Sequence, residues 1–159
     1  MPVFFRNAAI LIGISLCLTG CGFFGSSGQV GLEPPKNATG VVKIACTQMG
    51  AKYRPGGASP KKGFDCSGLV WWSYKQHGVD VPRLTTDQAK TGKKVSRKQA
   101  RAGDILVFRV SRSPRGLHTG IYAGDGKFVH SPSSGKRVRL ENLKPYWNDK
   151  LIAIRRVTK

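Results

Sequence analysis

The sequence predicts an α+β domain, and two observations predict it. Apolar residues recur at helical spacing through the first half of the chain, whereas the second half breaks into short runs rich in β-branched and aromatic residues. Helices first and strands afterwards is the order of an α+β fold rather than of alternating βαβ units. At 159 residues the chain has room for one domain behind a leader, and it contains no internal repeat.

Residues 1–20 read as an address. Arg6 supplies a positive charge near the start, residues 8–18 are an apolar run, and Leu18-Thr19-Gly20-Cys21 closes it with small residues before a cysteine. The run is too short for a membrane span, which takes about 20 residues. It resembles a bacterial lipoprotein signal, which implies cleavage before Cys21 and acylation of that cysteine, enough to anchor the chain to a membrane. Gly22 stands where an aspartate would retain a lipoprotein in the inner membrane, so the expected location is the outer membrane, facing the periplasm. Residues 21–36, with Gly, Ser and Pro, are the expected tether, and residues 37–159 the domain.

The elements follow in order. Val42, Ala45, Cys46 and Met49 share one helical face, so residues 39–49 are expected to form a helix capped by Asn37 or Thr39 and ending near Gly50. Tyr53-Arg54-Pro55-Gly56-Gly57 is a turn-rich loop. A second helix is expected from Cys66 through Leu69, Val70, Trp72 and Ser73 to a stop at Gly78, with Trp71 and Trp72 as core and groove wall. A short helix over 85–90 would be capped by Thr86 and ended by Gly92. Residues 104–110, 117–123, 127–131, 137–140 and 151–157 then read as strands of one antiparallel sheet.

The hairpin at Gly124-Asp125-Gly126 carries a sharper expectation, because side chains alternate along a strand and cross-strand partners share a face. A plain two-residue turn pairing Gly124 with Lys127 would put His118 and His130 on opposite faces. A three-residue loop pairing Ala123 with Lys127, or an equivalent bulge, puts His130 across from Gly120 and diagonal to His118, with Gly126 left-handed.

Chemistry concentrates around Gly63-Phe64-Asp65-Cys66-Ser67-Gly68-Leu69-Val70. A cysteine opening a helix meets unpaired backbone N–H groups and the positive end of the helix dipole, which stabilise a thiolate and lower the pKa. His118 can serve as base and His130 as a polar orienting group, the components of a thiol hydrolase. Cys17 leaves with the signal, so Cys46 and Cys66 are the remaining thiols. They could form a disulfide in an exported protein, or Cys46 could pack as a small hydrophobe and leave Cys66 free.

The formal net charge is +19, spread over Lys93-Lys94, Arg97-Lys98, Arg101, Arg109, Arg112, Arg115, Lys136-Arg137 and Arg139. Such charge is either a solvated surface or an attraction to an anionic partner. Nucleic acid could also attract this charge, but an exported lipoprotein rarely meets it and no aromatic-rich binding module is present, so it is not the expected partner. Anionic wall polymer or lipopolysaccharide is the expected counterpart.

These motifs together resemble the NlpC/P60 cysteine peptidases of bacterial cell walls, from about residue 39 to 156. The match runs through Gly50-Ala51-Lys52-Tyr53 with Gly56-Gly57, the Cys66 segment, Pro82-Arg83 with Gln88, and Gly103-Asp104-Ile105-Leu106-Val107-Phe108. It continues through His118-Thr119-Gly120-Ile121-Tyr122, Phe128-Val129-His130, Pro145-Tyr146-Trp147 and Arg155-Arg156-Val157. Thr119 departs from the pattern, which usually has an apolar residue there, and little is expected of the change. Extra arginine between residues 109 and 115 is a second departure, bearing on substrate charge.

The resemblance implies a papain-like fold, with N-terminal helices packed on a mostly antiparallel sheet of about five to six strands. It implies Cys66 as nucleophile, His118 as base, His130 as the third polar member, and Tyr53 as a donor to the oxyanion beside the Cys66 backbone N–H. Asp65 and Ser67 would face substrate, or act as helix-cap partners. The implied substrate is the stem peptide of peptidoglycan, cut at a bond involving D-glutamate, meso-diaminopimelate or D-alanine. Single-domain lipoprotein members often cut cross-links, so cross-link endopeptidase action is the expectation here. Neither a cofactor nor a metal is expected, and the chain is expected to be a monomer. The rival readings are a non-catalytic basic binder of wall or lipopolysaccharide, and an amidase or acyltransferase using the same three residues.

Overall fold

The computed structural model describes residues 35, 38, 40–111, 116–143 and 145–157. The signal, Cys21, nearly all of the tether, the two expected caps Asn37 and Thr39, and Arg112 and Arg115 lie outside them. No helix among the described residues is long and apolar enough to cross a membrane.

Helix α1 spans Gly40–Cys46 and buries Val41, Val42 and Ala45, with Cys46 and Met49 packed partly buried beside them. Helix α2 spans Cys66–Gln76. It stops at Gly78, which takes φ +76°, a left-handed conformation open to glycine without steric cost. Helix α3 spans Thr85–Gln88, and its N-cap position is Leu84, without a side-chain cap. Thr86 therefore lies inside the helix it was expected to cap, its hydroxyl directed to the Asp87 carboxylate.

A two-residue ladder pairs β1, Ala58–Ser59, with β2, Gly63–Phe64. The main sheet holds β3 (Lys93–Lys94), β4 (Ile105–Arg109), β5 (Leu117–Gly124), β6 (Lys127–His130), β7 (Arg139–Asn142) and β8 (Leu151–Arg156). All pairs are antiparallel, in the order β3-β8-β4-β5-β6-β7. A 3-10 turn over Arg97–Gln99 and helix α4, Tyr146–Lys150, complete the described elements. β7 begins two residues later than the sequence suggests because residues 137 and 138 pair elsewhere. Val138 exchanges backbone hydrogen bonds with Gly50 and Ala51, and Arg137 bridges Lys52. β1, β2, β3 and α4 are too short to carry a periodic signal.

The hairpin joins β5 and β6 in the required register with a different tip. Ile121 pairs Val129 and Tyr122 pairs Phe128, the register expected of the three-residue loop. The ladder then shifts so that Gly124 meets Lys127, leaving Ala123 as a bulge and Asp125-Gly126 as the turn. Asp125 and Gly126 have φ +50° and +68°, the positive pair that matches the twist of a tight hairpin. The bulge absorbs the odd residue, so both histidines keep one face.

The sheet is buried on both sides. Ile105, Val107, Ile121, Val129 and Leu140 face α1 and α2. Leu106, Phe108, Phe128 and Ile154 face the other way and are covered by Trp147 and Leu151. Phe108 pairs His118, Phe128 pairs Glu141 and His130 pairs Arg139, which sets these polar residues on the second face.

One fully buried side chain ties the helical layer to β5. The Gln88 amide nitrogen donates to the carbonyls of Ser67, at 3.0 Å, and Pro82, at 2.8 Å, while its oxygen accepts from the Thr119 hydroxyl at 2.9 Å. Thr119, the departure from which little was expected, thus completes the bonding of a buried amide. Thr119→Val keeps the shape and removes the donor, leaving the Gln88 oxygen unpaired without water. The expected outcome is a loss of about 1–3 kcal/mol in unfolding free energy, measured by denaturant titration. An unchanged midpoint would show that Gln88 finds another partner.

Candidate active site

The nucleophile position is built by the residue before it. Asp65, extended at φ −86° and ψ 178°, is the N-cap of α2, and its Oδ1 accepts from the Gly68 backbone N–H at 2.6 Å. Gly68 is required by close approach rather than by dihedral angle, since a Cβ there would collide with the Gly57 carbonyl. Cys66 follows the cap directly and is 9% exposed. It and Cys46 are both free thiols, so the possible disulfide is absent.

Burial decides the state of Cys66. Desolvation pushes its thiol pKa up. The Thr119 backbone N–H opposes this by donating toward the sulfur, the Asp65 carboxylate adds to the rise, and the Ser67 and Cys66 N–H groups pull down. The net direction is upward, contrary to the lowering expected from the helix terminus alone. The helix N-terminus still favours the thiolate, but the cost of stripping that thiolate of water outweighs it.

β5 brings His118 to the same cavity. β6 ends at His130 while β5 starts at Leu117, so the histidines meet at the open end of this strand pair. His118 Nε2 and His130 Nδ1 lie 2.8 Å apart with the rings perpendicular. Gly120 permits this, because a Cβ there would come within 2.8 Å of the Phe128 ring and 3.1 Å of the His130 Cβ. Both imidazoles are buried, and desolvation lowers both pKa values. For His118 the neighbouring His130 lowers it further while Glu141 partly offsets this, and the net direction is well below the ordinary value.

Two residues to which no role was assigned complete this cluster. Glu141 Oε2 lies 2.8 Å from His130 Nε2 and accepts from Arg139 Nε and Nη2 at 3.0 and 2.9 Å. Burial alone would raise its pKa, but the hydrogen bonds from His130, Trp147 and Arg139, with the pull of His130, bring it down to about 2. Trp147 stacks on the His118 ring, with centroids 5.2 Å apart and planes 29° apart, and meets His130 edge-on at 5.1 Å. Glu141 was not legible because the long 131–138 connection leaves the β6–β7 register open in the sequence. Trp147 sits in a quoted motif, but nothing in its spacing tells a ring cover from a core residue.

The cavity has a volume of about 330 Å³. Tyr53, Cys66 and His118 line it with Glu141, and Lys136 and Arg139 add positive charge. Tyr146 and Trp147 close one side, so the aromatic wall comes from α4. Trp71 and Trp72, expected in part as groove wall, do not line it. Trp72 packs on Phe64 at 5.5 Å, and Trp71 lies under the Lys75 ammonium. Burial raises the Tyr53 hydroxyl pKa, and Cys66 and Asp65 add to the rise, so the phenol stays protonated and able to donate.

Asp65 and Ser67 do not line the cavity. Asp65 Oδ2 accepts from the Gly56 N–H at 2.9 Å and from Arg83 Nη2 at 2.8 Å, and Arg83 Nη1 reaches the Ser67 hydroxyl at 2.8 Å. Their polar atoms are engaged in capping and bracing. Among the described residues no group of three or more His, Cys, Asp or Glu could hold a metal ion.

The chain is similar to several known proteins. The chain is 42% identical over 109 residues to the murein DD-endopeptidase MepS/murein LD-carboxypeptidase of Escherichia coli, covering 68% of this chain and 56% of that one. It is 40% identical over 119 residues to the bifunctional muramidase/DL-endopeptidase CwlT of Bacillus subtilis, covering 74% of this chain and 36% of that one. The chain thus spans little more than half, or less, of the length of these relatives. A crystal structure of an NlpC/P60 family protein from Bacillus cereus superposes with a TM-score of 0.69 at 29% identity, over 75% of this chain and 39% of that one. The NlpC/P60 family pattern itself matches residues 50–156, two thirds of the chain and the whole of the cavity described above, and the chain belongs to that family.

Proposed function

We propose that this chain is a peptidoglycan endopeptidase that cleaves stem-peptide or cross-link amide bonds with Cys66 as nucleophile. The observation that carries the reading is the joint presence of Cys66 and His118 on one cavity, with His118 hydrogen-bonded to His130. The enzyme names of its relatives support the substrate class. Bonds involving D-glutamate, meso-diaminopimelate or D-alanine all place a carboxylate near the scissile amide, and Lys136 offers that charge a partner in the cavity, Arg139 being paired with Glu141.

In this reading the thiol proton passes to His118 as sulfur attacks the carbonyl, forming a tetrahedral oxyanion. Tyr53 and the Cys66 backbone N–H donate to it, and each such donor is worth about 3 kcal/mol at the transition state. His118 returns the proton to the leaving amine, an acyl-enzyme remains on Cys66, and water activated by His118 releases it. His130 orients His118 throughout. Asp65 and Ser67 act at one remove, by fixing the start of α2 and its neighbouring loop.

The same reading places the enzyme in the bacterial envelope. Residues 1–20 act as the signal, acylated Cys21 as the anchor to the outer membrane, and residues 21–36 as the tether that lets the domain reach the wall. The excess of basic charge favours association with an anionic surface.

Mass spectrometry of fragments released from purified diaminopimelate-type sacculi tests the activity and identifies the bond. Wild type is expected to release peptides with new termini, and Cys66→Ala to lower that release by more than about 10³-fold. Release that persists in Cys66→Ala would overturn the thiol mechanism, and binding without release by either form would favour the non-catalytic reading.

The pH dependence has a definite sign. His118 must be neutral to accept the proton, and its pKa is lowered from 6.5, so kcat/KM is expected to hold through neutral pH and fall only below 6.5. Cys66, with its pKa raised, stays a thiol over that range, and alkylation by iodoacetamide is expected to be slow at neutral pH and to accelerate at alkaline pH. Fast alkylation at pH 5 would show a resting thiolate–imidazolium pair instead.

A further inference from the structure

Glu141 ends a chain of hydrogen bonds that runs from His118, which shares its cavity with Cys66, through His130. Its Oε2 already accepts two N–H groups from Arg139, so it is also the acceptor toward His130 Nε2, 2.8 Å away. His130 Nε2 therefore carries a hydrogen. In a neutral imidazole only one nitrogen does, so His130 Nδ1 presents a lone pair to His118 Nε2, also 2.8 Å away. His118 must then place its own hydrogen on Nε2. Its remaining nitrogen, Nδ1, is left as a lone pair for the cavity that it shares with Cys66.

We infer that Glu141 is a positioning residue that sets the direction of the Cys66–His118–His130 chain, holding His118 in the one tautomer able to accept the thiol proton. The inference rests on the peptidase reading for its consequence, though not for its geometry. During attack the proton moves from Sγ to His118 Nδ1, while His118 Nε2–H and His130 Nε2–H stay where they are. The positive charge that appears on His118 is stabilised through His130 by a carboxylate that never takes up a proton. The groups facing His130 and Glu141 are His118 on β5, Arg139 on β7 and Trp147 on α4. Each is accounted for in this direction: Arg139 and the Trp147 indole N–H are donors toward Glu141, and His118 is a donor toward His130.

Removing the carboxylate reverses the logic. In Glu141→Leu the Arg139 N–H groups lose their acceptor and face His130 Nε2, favouring a lone pair there and a hydrogen on Nδ1. His118 Nε2 then becomes an acceptor, and its hydrogen moves to Nδ1, where it blocks deprotonation of Cys66. Glu141→Gln retains an acceptor oxygen and removes only the charge.

Long-range ¹H–¹⁵N correlation spectra of the histidine side chains read the tautomers directly, whether or not the protein cuts sacculi. Wild type is expected to show His118 and His130 both protonated on Nε2, and Glu141→Leu to show both protonated on Nδ1. With fragment release as the assay, kcat in Glu141→Leu is expected to fall about 10²-fold or more while KM moves little, since a wrong imidazole tautomer costs about 10⁴ in a comparable triad. Glu141→Gln is expected to keep the Nε2–H tautomers and most of kcat. Thermal melts establish that each variant is folded, and the wild-type spectrum tests the direction even where a variant is not. His118 protonated on Nδ1 in wild type would overturn the inference. So would equal losses in both variants with unchanged tautomers. Wild type with the expected tautomers but no cleavage would sink the peptidase reading and leave the direction of the chain supported.

Discussion

The distance between helix and sheet at the Cys66 end of α2 is the constraint on which the rest of this structure depends, and two buried polar side chains hold it. Gln88 bonds the carbonyl of Ser67 and the hydroxyl of Thr119, the residues that follow Cys66 and His118. Ser131, which follows His130, donates to the carbonyl of Phe64, two residues before Cys66, at 2.8 Å. Cys66, His118 and His130 are therefore each one or two residues from a short hydrogen bond to the opposite layer. Apolar packing supplies most of the stability of such a domain but tolerates small slides. Directed bonds from fully buried groups do not, because a slide leaves a donor or acceptor without water.

The same burial that makes these ties stiff sets the chemistry of the site. Trp147 stacked on His118, and Phe108 and Phe128 beneath it, exclude water from both imidazoles and make their charged forms unfavourable. Burial pushes the Cys66 thiol pKa up for the same reason. In the mechanism proposed above, a resting pair of neutral groups leaves charge separation to the attack itself, with Tyr53 as donor to the oxyanion and the Glu141 carboxylate behind the histidines.

How much of this was legible in the sequence depends on whether a residue's role is local. The Asp65 cap, the start of α2 at Cys66 and the stop at Gly78 rest on near neighbours, and the sequence pattern contains them. The shared face of His118 and His130 was legible as well, because a tight hairpin joins their strands and parity fixes the face, although the bulge at Ala123 was not distinguished from a three-residue loop. Glu141 reaches His130 only through the β6–β7 pairing, whose connection is too long for parity to be counted across it. Trp147 and the pair Trp71 and Trp72 differ in nothing that composition or spacing records. Which tryptophan covers the histidines is decided by where α4 lies on the sheet, a tertiary fact.

The basic charge divides by residue type, and the division matters for what the field can do. Arginines act as braces: Arg155 donates to the carbonyls of Lys90, Thr91 and Gly92, Arg97 to Asn148 and Leu151, and Arg137 to Gly50. A planar fork with five donors suits this use, and bonding to carbonyls leaves its charge intact. The chain has 8 acidic residues against 27 lysines and arginines, and three of the acids, Asp65, Asp104 and Glu141, are each paired with an arginine. Structural use therefore neutralises little of the excess, and the braces themselves contribute to the surrounding potential. At the cavity Glu141 is offset by Arg139, so Lys136 leaves the entrance net positive. Under the function proposed above, a substrate carboxylate is attracted there without Glu141 repelling it, and one small site combines a negative charge beside the histidines with a positive approach.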